Sequence, residues 1–253
     1  MFISSVKRKV LKLSQGLELV DFSLGLPYTW VVVRDNDGKP ALGVAMTLPE
    51  EIGRYDNPIE DVTLKGLIER ADSLSAIERT LGLAAMNAVC QYHLSLDNAE
   101  LKDIVEIVPE DAERIAVIGN IGPVVEVLRA KGRNVYVFER NPKLCTKDTL
   151  SDALEYVLLP EMDTVIASAT SLVNGTFDIL VDRAKKAGTF ILVGPTGGLL
   201  PEFFKNTGVT HVASMKAVGI NRAITALKLG SFKRFEEACV KYIYYVESII
   251  EHL

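Results

Sequence analysis

The chain opens on apolar residues at helical spacing. Ile3, Val6, Val10, Leu11 and Leu13 share one side, and the intervening Lys7-Arg8-Lys9 run falls on the wet face of the same helix. The pattern then shortens. Leu17 to Leu24 and Tyr28 to Arg34 read as strands joined through Gly25-Leu26-Pro27. Asp35-Asn36-Asp37-Gly38 is a turn leading to a third strand, about Ala41 to Thr47. Helix followed by an antiparallel meander is the expectation for this opening. An irregular stretch from Pro49 to Pro58 carries Glu50, Glu51, Arg54, Tyr55 and Asp56, and loops of that length often line sites. Ser75 and Glu78 have capping-box spacing at the head of a helix that runs to His93. Its small residues Gly82, Ala84, Ala85 and Ala88 admit another element at close range.

A charged connector ends in Val108-Pro109-Glu110-Asp111, which places a domain boundary between residues 108 and 109. Beyond it the rhythm becomes strand–helix alternation. Short, wholly apolar strands are expected at Ile115–Ile118, Val135–Phe138, Thr164–Ala167, Phe190–Val193 and about Val209–Ala213. Helical segments separate them at Pro123–Ala130, near Leu150–Tyr156, and at Phe177–Lys186 and Pro201–Lys205. This predicts an α/β chain: a small α+β domain over 1–108 and a Rossmann-like parallel-sheet domain over 109–253. Helices are expected from Asn221 and Phe232. Phe235, Cys239, Tyr242, Val246 and Ile249 form one apolar stripe at steps of four and three. Packing of that stripe on its own domain is preferred to a dimer seam, with a homodimer left open.

Composition narrows the function classes. The 253 residues are 48% hydrophobic and carry a formal charge of −5, so a core can form and the basic field that nucleic acid demands is missing. No apolar run approaches the length needed to cross a bilayer, and with no continuous apolar segment behind the first basic residues a secretory leader is not expected. Cys90, Cys145 and Cys239 are far apart and odd in number, which points to reduced thiols in a cytoplasmic protein. The expected partner is a small molecule or metal chelate, with neither nucleic acid nor membrane.

Four polar clusters stand where parallel strands end, the edge at which open α/β sheets bind ligands. Gly119-Asn120-Ile121-Gly122-Pro123 follows the first parallel strand and offers a tight turn into a helix whose amides suit an anion. Ile121 and Val124 occupy positions where the dinucleotide fingerprint has glycine, which argues against a pyrophosphate. Glu139 ends the second strand, where a carboxylate commonly takes a ribose diol, so an adenosyl-type nucleotide fits better; Arg140 is placed to pair with it instead. Thr170, Ser171, Asn174 and Thr176 follow the third strand, with Asn174 or Thr176 expected to cap the next helix. Gly194-Pro195-Thr196-Gly197-Gly198 follows the fourth and lacks the lysine of a P-loop. Cys90 and His93 share a helix face, but no second pair completes a zinc set, and His211 and His252 are isolated. Glu50, Glu51, Asp56 and Glu139 could form an oxygen-donor site for a divalent metal.

Several of these segments carry a resemblance. Gly25-Leu26-Pro27-Tyr28-Thr29-Trp30 and Leu81-Gly82-Leu83-Ala84-Ala85-Met86-Asn87-Ala88 resemble the N-terminal half of a family described as heavy-metal chelation proteins. Val117 to Pro123, Val137 to Pro142, Leu172 to Thr176 and Val193 to Thr196 continue the match in order. The resemblance implies an enolase N-terminal-like domain joined to a Rossmann-like domain, with a site at the junction. By position it offers Tyr28, Thr29 and Asn87 from the first domain, facing Gly119, Glu139, Asn174 and Thr196 from the second. It carries no enolase activity, because the barrel that holds that enzyme's metal has no counterpart here. Three functions follow as expectations: binding or processing a metal or its small chelator in an interdomain cleft, an enzyme using an adenosyl or nicotinamide cofactor, or a non-catalytic structural or partner-binding protein.

Overall fold

The computed structural model describes residues 1–53 and 62–248. Arg54, Tyr55, Asp56, Ile249 and His252, singled out above, lie outside the described residues. Helix α1 (Phe2–Leu13) buries Phe2, Ile3, Val6 and Val10 and leads into a sheet of β1 (Leu17–Ser23), β2 (Tyr28–Asp35) and β3 (Pro40–Met46), antiparallel in that order. The Leu26–Pro27 peptide between β1 and β2 is cis. Helices α2 (Leu64–Glu69) and α3 (Ala76–His93) follow. The capping box at the head of α3 does not form: Ser75 makes no side-chain cap, and Glu78 pairs with Arg70 at 3.2 Å instead. The small residues on α3 do admit close neighbours. A Cβ added to Gly43 of β3 would lie 2.0 Å from the Ala88 amide nitrogen and 2.3 Å from the Ala84 carbonyl, so helix and strand touch backbone to backbone.

The second sheet is built from β4 (Ile115–Ile118), α4 (Gly122–Ala130), β5 (Val135–Phe138), β6 (Thr149–Leu150), α5 (Glu155–Leu158), β7 (Thr164–Ser168), α6 (Ser171–Asn174), α7 (Phe177–Arg183), β8 (Thr189–Val193), β9 (His211–Ala217), α8 (Ile220–Lys228), α9 (Phe232–Glu236) and β10 (Cys239–Tyr245). Its strand order is β10-β9-β8-β7-β4-β5-β6, parallel throughout except for β10 against β9. Along β4, Ile115 and Val117 join the core on one face while Ala116 and Ile118 join the core on the other. That is the period-two signature of a strand covered on both sides.

Two expectations fail here. The helix near Leu150–Tyr156 is shared between strand β6, a 3-10 turn over Asp152–Leu154 and the single turn α5. The C-terminal stripe is not helical: Phe235 ends a short helix, while Cys239 and Tyr242 lie on strand β10. Val240, Tyr242, Ile243, Tyr244 and Tyr245 are β-branched or aromatic, and pairing with β9 satisfies that preference.

The two sheets are knitted together. Strand β2 is buried on both faces, with Val31 and Val33 under α3, and Trp30 and Val32 under Ala223, Ala226, Leu227 and Phe235 of α8 and α9. Phe2 of α1 packs on Phe177 and Phe204, with ring centroids at 4.7 and 4.9 Å. The segment Glu100–Val108 bridges to β10 through Ile243 and buries Val105 and Val108 against the second sheet. No helix among the described residues is long and apolar enough to cross a membrane.

Candidate functional site

The order in which strands are added reverses at β4: β5 and β6 are laid down on one side of it, and β7 and β8 on the other. Such a switch point leaves a crevice at the carboxyl ends of the strands. A cleft of about 810 Å³ occupies that place, roofed by Leu26, Pro27 and Met46 to Glu51 of the first sheet's loops. Its apolar lining includes Met46, Leu48, Ile118, Ile121, Phe138 and Leu144. The volume lies within the roughly 300–1,000 Å³ usual for small-molecule sites.

Of the residues expected at the site, Gly119, Asn120, Glu139, Thr170, Ser171 and Asn174 line this cleft. Gly119 must be glycine: its φ is +80° and a Cβ would meet Ser168 Cβ at 3.1 Å. The turn's amides are not free for an anion, contrary to expectation. Gly119 N donates to Phe138 O, Asn120 N to Glu139 Oε2, Ile121 N to Gly119 O and Gly122 N to Asn120 O, all at 2.8–3.0 Å. Glu139 is committed in turn: Oε2 accepts from Asn120 N and Oε1 from Asn141 N, both at 2.8 Å. It braces two loops. Arg140 does not pair with it, but donates to Glu51 Oε1 at 2.7 Å and Asp152 Oδ2 at 2.9 Å, tying the roof to the floor.

The other six expected residues stand outside the cleft. Tyr28 is buried between Phe232 and Phe235, at 5.7 and 6.0 Å, where burial and the nearby Glu236 push its hydroxyl pKa up to about 12. Thr29 sits behind the wall, its Oγ1 2.9 Å from that of Thr47, which does line the cleft. Asn87 is fully buried and donates from Nδ2 to Val44 O at 2.8 Å and Thr196 O at 2.9 Å. Thr196 accepts from Met46 N at 3.0 Å. These two polar side chains fasten the first sheet to the second domain through main chain, and neither lines the cleft. Gly194 donates to Ala213 O and enters the buried turn Pro195–Gly197 on which Asn87 stands, and Gly122 is the first residue of α4.

Sequence reasoning missed Thr47, Asp152 and Glu155, all on the cleft wall. Burial first, then repulsion from Asp152 and Glu139, raises the Glu155 carboxyl pKa to about 7, with Arg140 opposing the rise. Among the described residues, five carboxyl groups therefore line the cleft (Glu50, Glu51, Glu139, Asp152 and Glu155), against one guanidinium. Nothing in the pattern of hydrophobic residues could flag Glu155, on a single turn; only its nearness to Asp152 in sequence hints at it.

Across β4 the wall is neutral. Ser168 Oγ and Thr170 Oγ1 bond to each other at 2.8 Å, and Asn174 Oδ1 accepts from Thr176 N at 3.1 Å and Thr176 Oγ1 at 2.8 Å. The cap expected from Asn174 or Thr176 does not form: Thr176 is the N-cap residue of α7 but makes no side-chain cap bond, and among the described residues the Asn174 side chain bonds only to Thr176 itself. Arg79 of α3 steadies this wall by donating to Val173 O at 2.6 Å, and burial lowers its pKa.

Among the described residues no group of three or more His, Cys, Asp or Glu side chains could hold an ion. Glu50, Glu51 and Glu139 of the expected oxygen set line the cleft, and Asp56 lies outside the described residues. Cys90 is buried in the core with its thiol pKa pushed up by burial, His93 bonds to Leu13 O, and all three cysteines are free thiols. Soft heavy-metal ions favour thiolate and imidazole, and no such group lines the cleft among the described residues. A bare soft ion does not fit.

Two family models described as "Putative heavy-metal chelation" match the chain, DUF4213 over residues 8–90 and DUF364 over residues 103–245. Uncharacterized protein MJ0500 of Methanocaldococcus jannaschii is 45% identical over 258 residues, covering 98% of this chain and 99% of that protein. A crystal structure of a DUF364 protein of unknown function from Pyrococcus horikoshii (PH1506) superposes with a TM-score of 0.94 at 56% identity, over 97% of this chain and all of that one. A second, from Desulfitobacterium hafniense DCB-2, shares the fold at a TM-score of 0.72 and 19% identity, with the same coverage. The chain belongs to the DUF364 family, whose description is "Putative heavy-metal chelation", and the two family structures named above are of unknown function.

Proposed function

We propose that this protein binds a small metal chelator, or the complex of a metal with it, in the cleft between its two sheets. The observation that carries this reading is the charge of the wall, which among the described residues holds five carboxyl groups and one guanidinium around about 810 Å³. Such a wall selects a ligand that presents a cationic group to it. The space suits a small organic molecule, while the described side chains do not assemble an ion's coordination shell. The chelator would supply most of the donors, and the protein would recognise the charge and shape of the whole. The metal is then cargo. The strand order agrees with a Rossmann-like second domain, and the reduced thiols with a cytoplasmic setting.

An adenosyl or nicotinamide cofactor gains support from the switch-point location. It loses support from the amides of residues 119–122 and both oxygens of Glu139, which are already bonded within the protein. The test uses tris(ethylenediamine)cobalt(III), an inert cationic chelate that cannot pass its metal to the protein. Calorimetry should give saturable binding that weakens in a Glu50→Gln/Glu155→Gln double variant. The anionic cobalt(III)–EDTA complex should stay silent. Equal response to both complexes, or to neither, would remove the reading, and binding of S-adenosylmethionine or NAD in their place would favour the cofactor alternative.

A further inference from the structure

The neutral wall after β7 contains a hydroxyl that the fold leaves unused. Ser171 is 3% exposed and lines the cleft, and its Oγ has no hydrogen-bond partner among the described residues. Proteins keep few such groups, because an unpaired buried hydroxyl costs stability. Asn174, one turn on, is fixed in orientation: a main-chain N–H donates to its Oδ1, so the other end of the amide is the donor Nδ2. That Nδ2 makes no hydrogen bond to protein among the described residues. Ser168 and Thr170 share one hydrogen bond between two hydroxyls, which leaves one proton to give elsewhere. The wall thus offers neutral donors, while the acidic groups Glu139, Asp152 and Glu155 lie on the β5–β6 side of β4.

Resting on the reading of the cleft as a ligand site, we propose that Ser171 and Asn174 receive a carboxylate or carbonyl oxygen of a ligand whose other end is cationic. The ligand class is then an amino-acid-like molecule, with an ammonium toward the carboxylates and an oxygen acceptor toward the β7 wall. The neutral donors hold an oxygen acceptor without neutralising the acids that hold the cation.

A matched series of probes separates the two ends. Calorimetry at pH 7 on the full chain would compare 6-aminohexanoate, hexylamine and hexanoate. The first should bind at least about tenfold tighter than either single-ended analogue. Ser171→Ala and Asn174→Ala should each weaken 6-aminohexanoate about tenfold and leave hexylamine unchanged. Ser171→Ala should also leave the melting temperature of the free protein undiminished, because it removes an unsatisfied group; a structural serine would not behave so. Equal affinity for 6-aminohexanoate and hexylamine, or equal losses for both in the variants, would overturn the proposal. If the cobalt chelate binds and none of the three probes does, this inference falls alone. If the chelate is silent too, the reading of the cleft falls with it.

Discussion

Substituting alanine at Gly43 would test the backbone contact that seats α3 on β3 within the first domain. The new methyl would sit 2.0 Å from the Ala88 nitrogen and 2.3 Å from the Ala84 oxygen, and both are backbone atoms that cannot rotate away. Ordinary contact begins near 3.4 Å, so α3 and β3 must part by roughly 1.4 Å. Overpacking of this kind costs about 1–3 kcal/mol, sometimes more. Parting them also pulls Asn87 away from Val44 O, a bond of 2.8 Å, and strains its second bond to Thr196 O. Each such bond contributes about 1 kcal/mol. Reduced freedom of the unfolded chain returns about 0.4–1 kcal/mol. The net expectation is a loss of about 3–4 kcal/mol, a large share of the 5–15 kcal/mol typical of a folded domain. In a chain of this size each kcal/mol moves the melting temperature by about 2–4 °C. Urea denaturation and thermal melting would measure the loss. Gly122→Ala is the control, since nothing lies within 4 Å of its added Cβ and its φ is not positive, and it should stay within about 1 kcal/mol of wild type. A Gly43→Ala variant as stable as that control would refute the account of the α3–β3 contact.

Asn87→Leu should destabilise by about 2–4 kcal/mol in urea melts, because it strips two carbonyls of a buried donor; a loss below about 1 kcal/mol would mean that water or relaxation replaces the staple. Glu155 binds its proton more tightly folded than unfolded, so its contribution is fully present below the unfolded value of 4.5 and is lost as pH rises through about 7. Glu155→Gln should therefore stabilise the protein at pH 8 relative to wild type, by about 1–2 kcal/mol after allowing for solvent screening, with little difference at pH 5; the same gain at both pH values would contradict the assignment. A cationic ligand seated on this wall should expel that proton, visible at pH 7 as a binding enthalpy that changes with the ionisation enthalpy of the buffer. Arg140→Gln should raise the Glu155 pKa further, since the guanidinium is the one group opposing the rise, and carbon-13 NMR of the carboxyl would read the shift; an unmoved or lowered pKa would refute it.

The parallel strands were legible because four or five consecutive apolar residues bounded by turns admit few other readings, as Ile115–Ile118 and Phe190–Val193 illustrate. The C-terminal strand was not. Phe235, Cys239, Tyr242 and Val246 keep helical spacing only by coincidence across a helix, a strand and a turn, and the stronger signal was the aromatic run Tyr242–Tyr245. At the site, strand-end position located Gly119, Asn120, Glu139, Thr170, Ser171 and Asn174, because topology puts such residues on one edge. Strand-end position also proposed Thr196, and the family resemblance added Asn87, a polar residue among apolar neighbours on α3. Only in three dimensions does its partner prove to be main chain. Occupied amides are equally invisible in sequence: the turn at 119–122 has the residues of an anion cradle, but its donors bond inward.

The cover that α8 and α9 lay over Trp30 and Val32 has a consequence for synthesis. The strands they protect leave the ribosome long before residues 220–235 exist, so a nascent chain displays an unshielded tryptophan-bearing surface throughout translation of the second domain. A stop codon anywhere before α8 would make that exposure permanent. A fragment ending at the connector should therefore be recovered as aggregate, however complete its own three strands are.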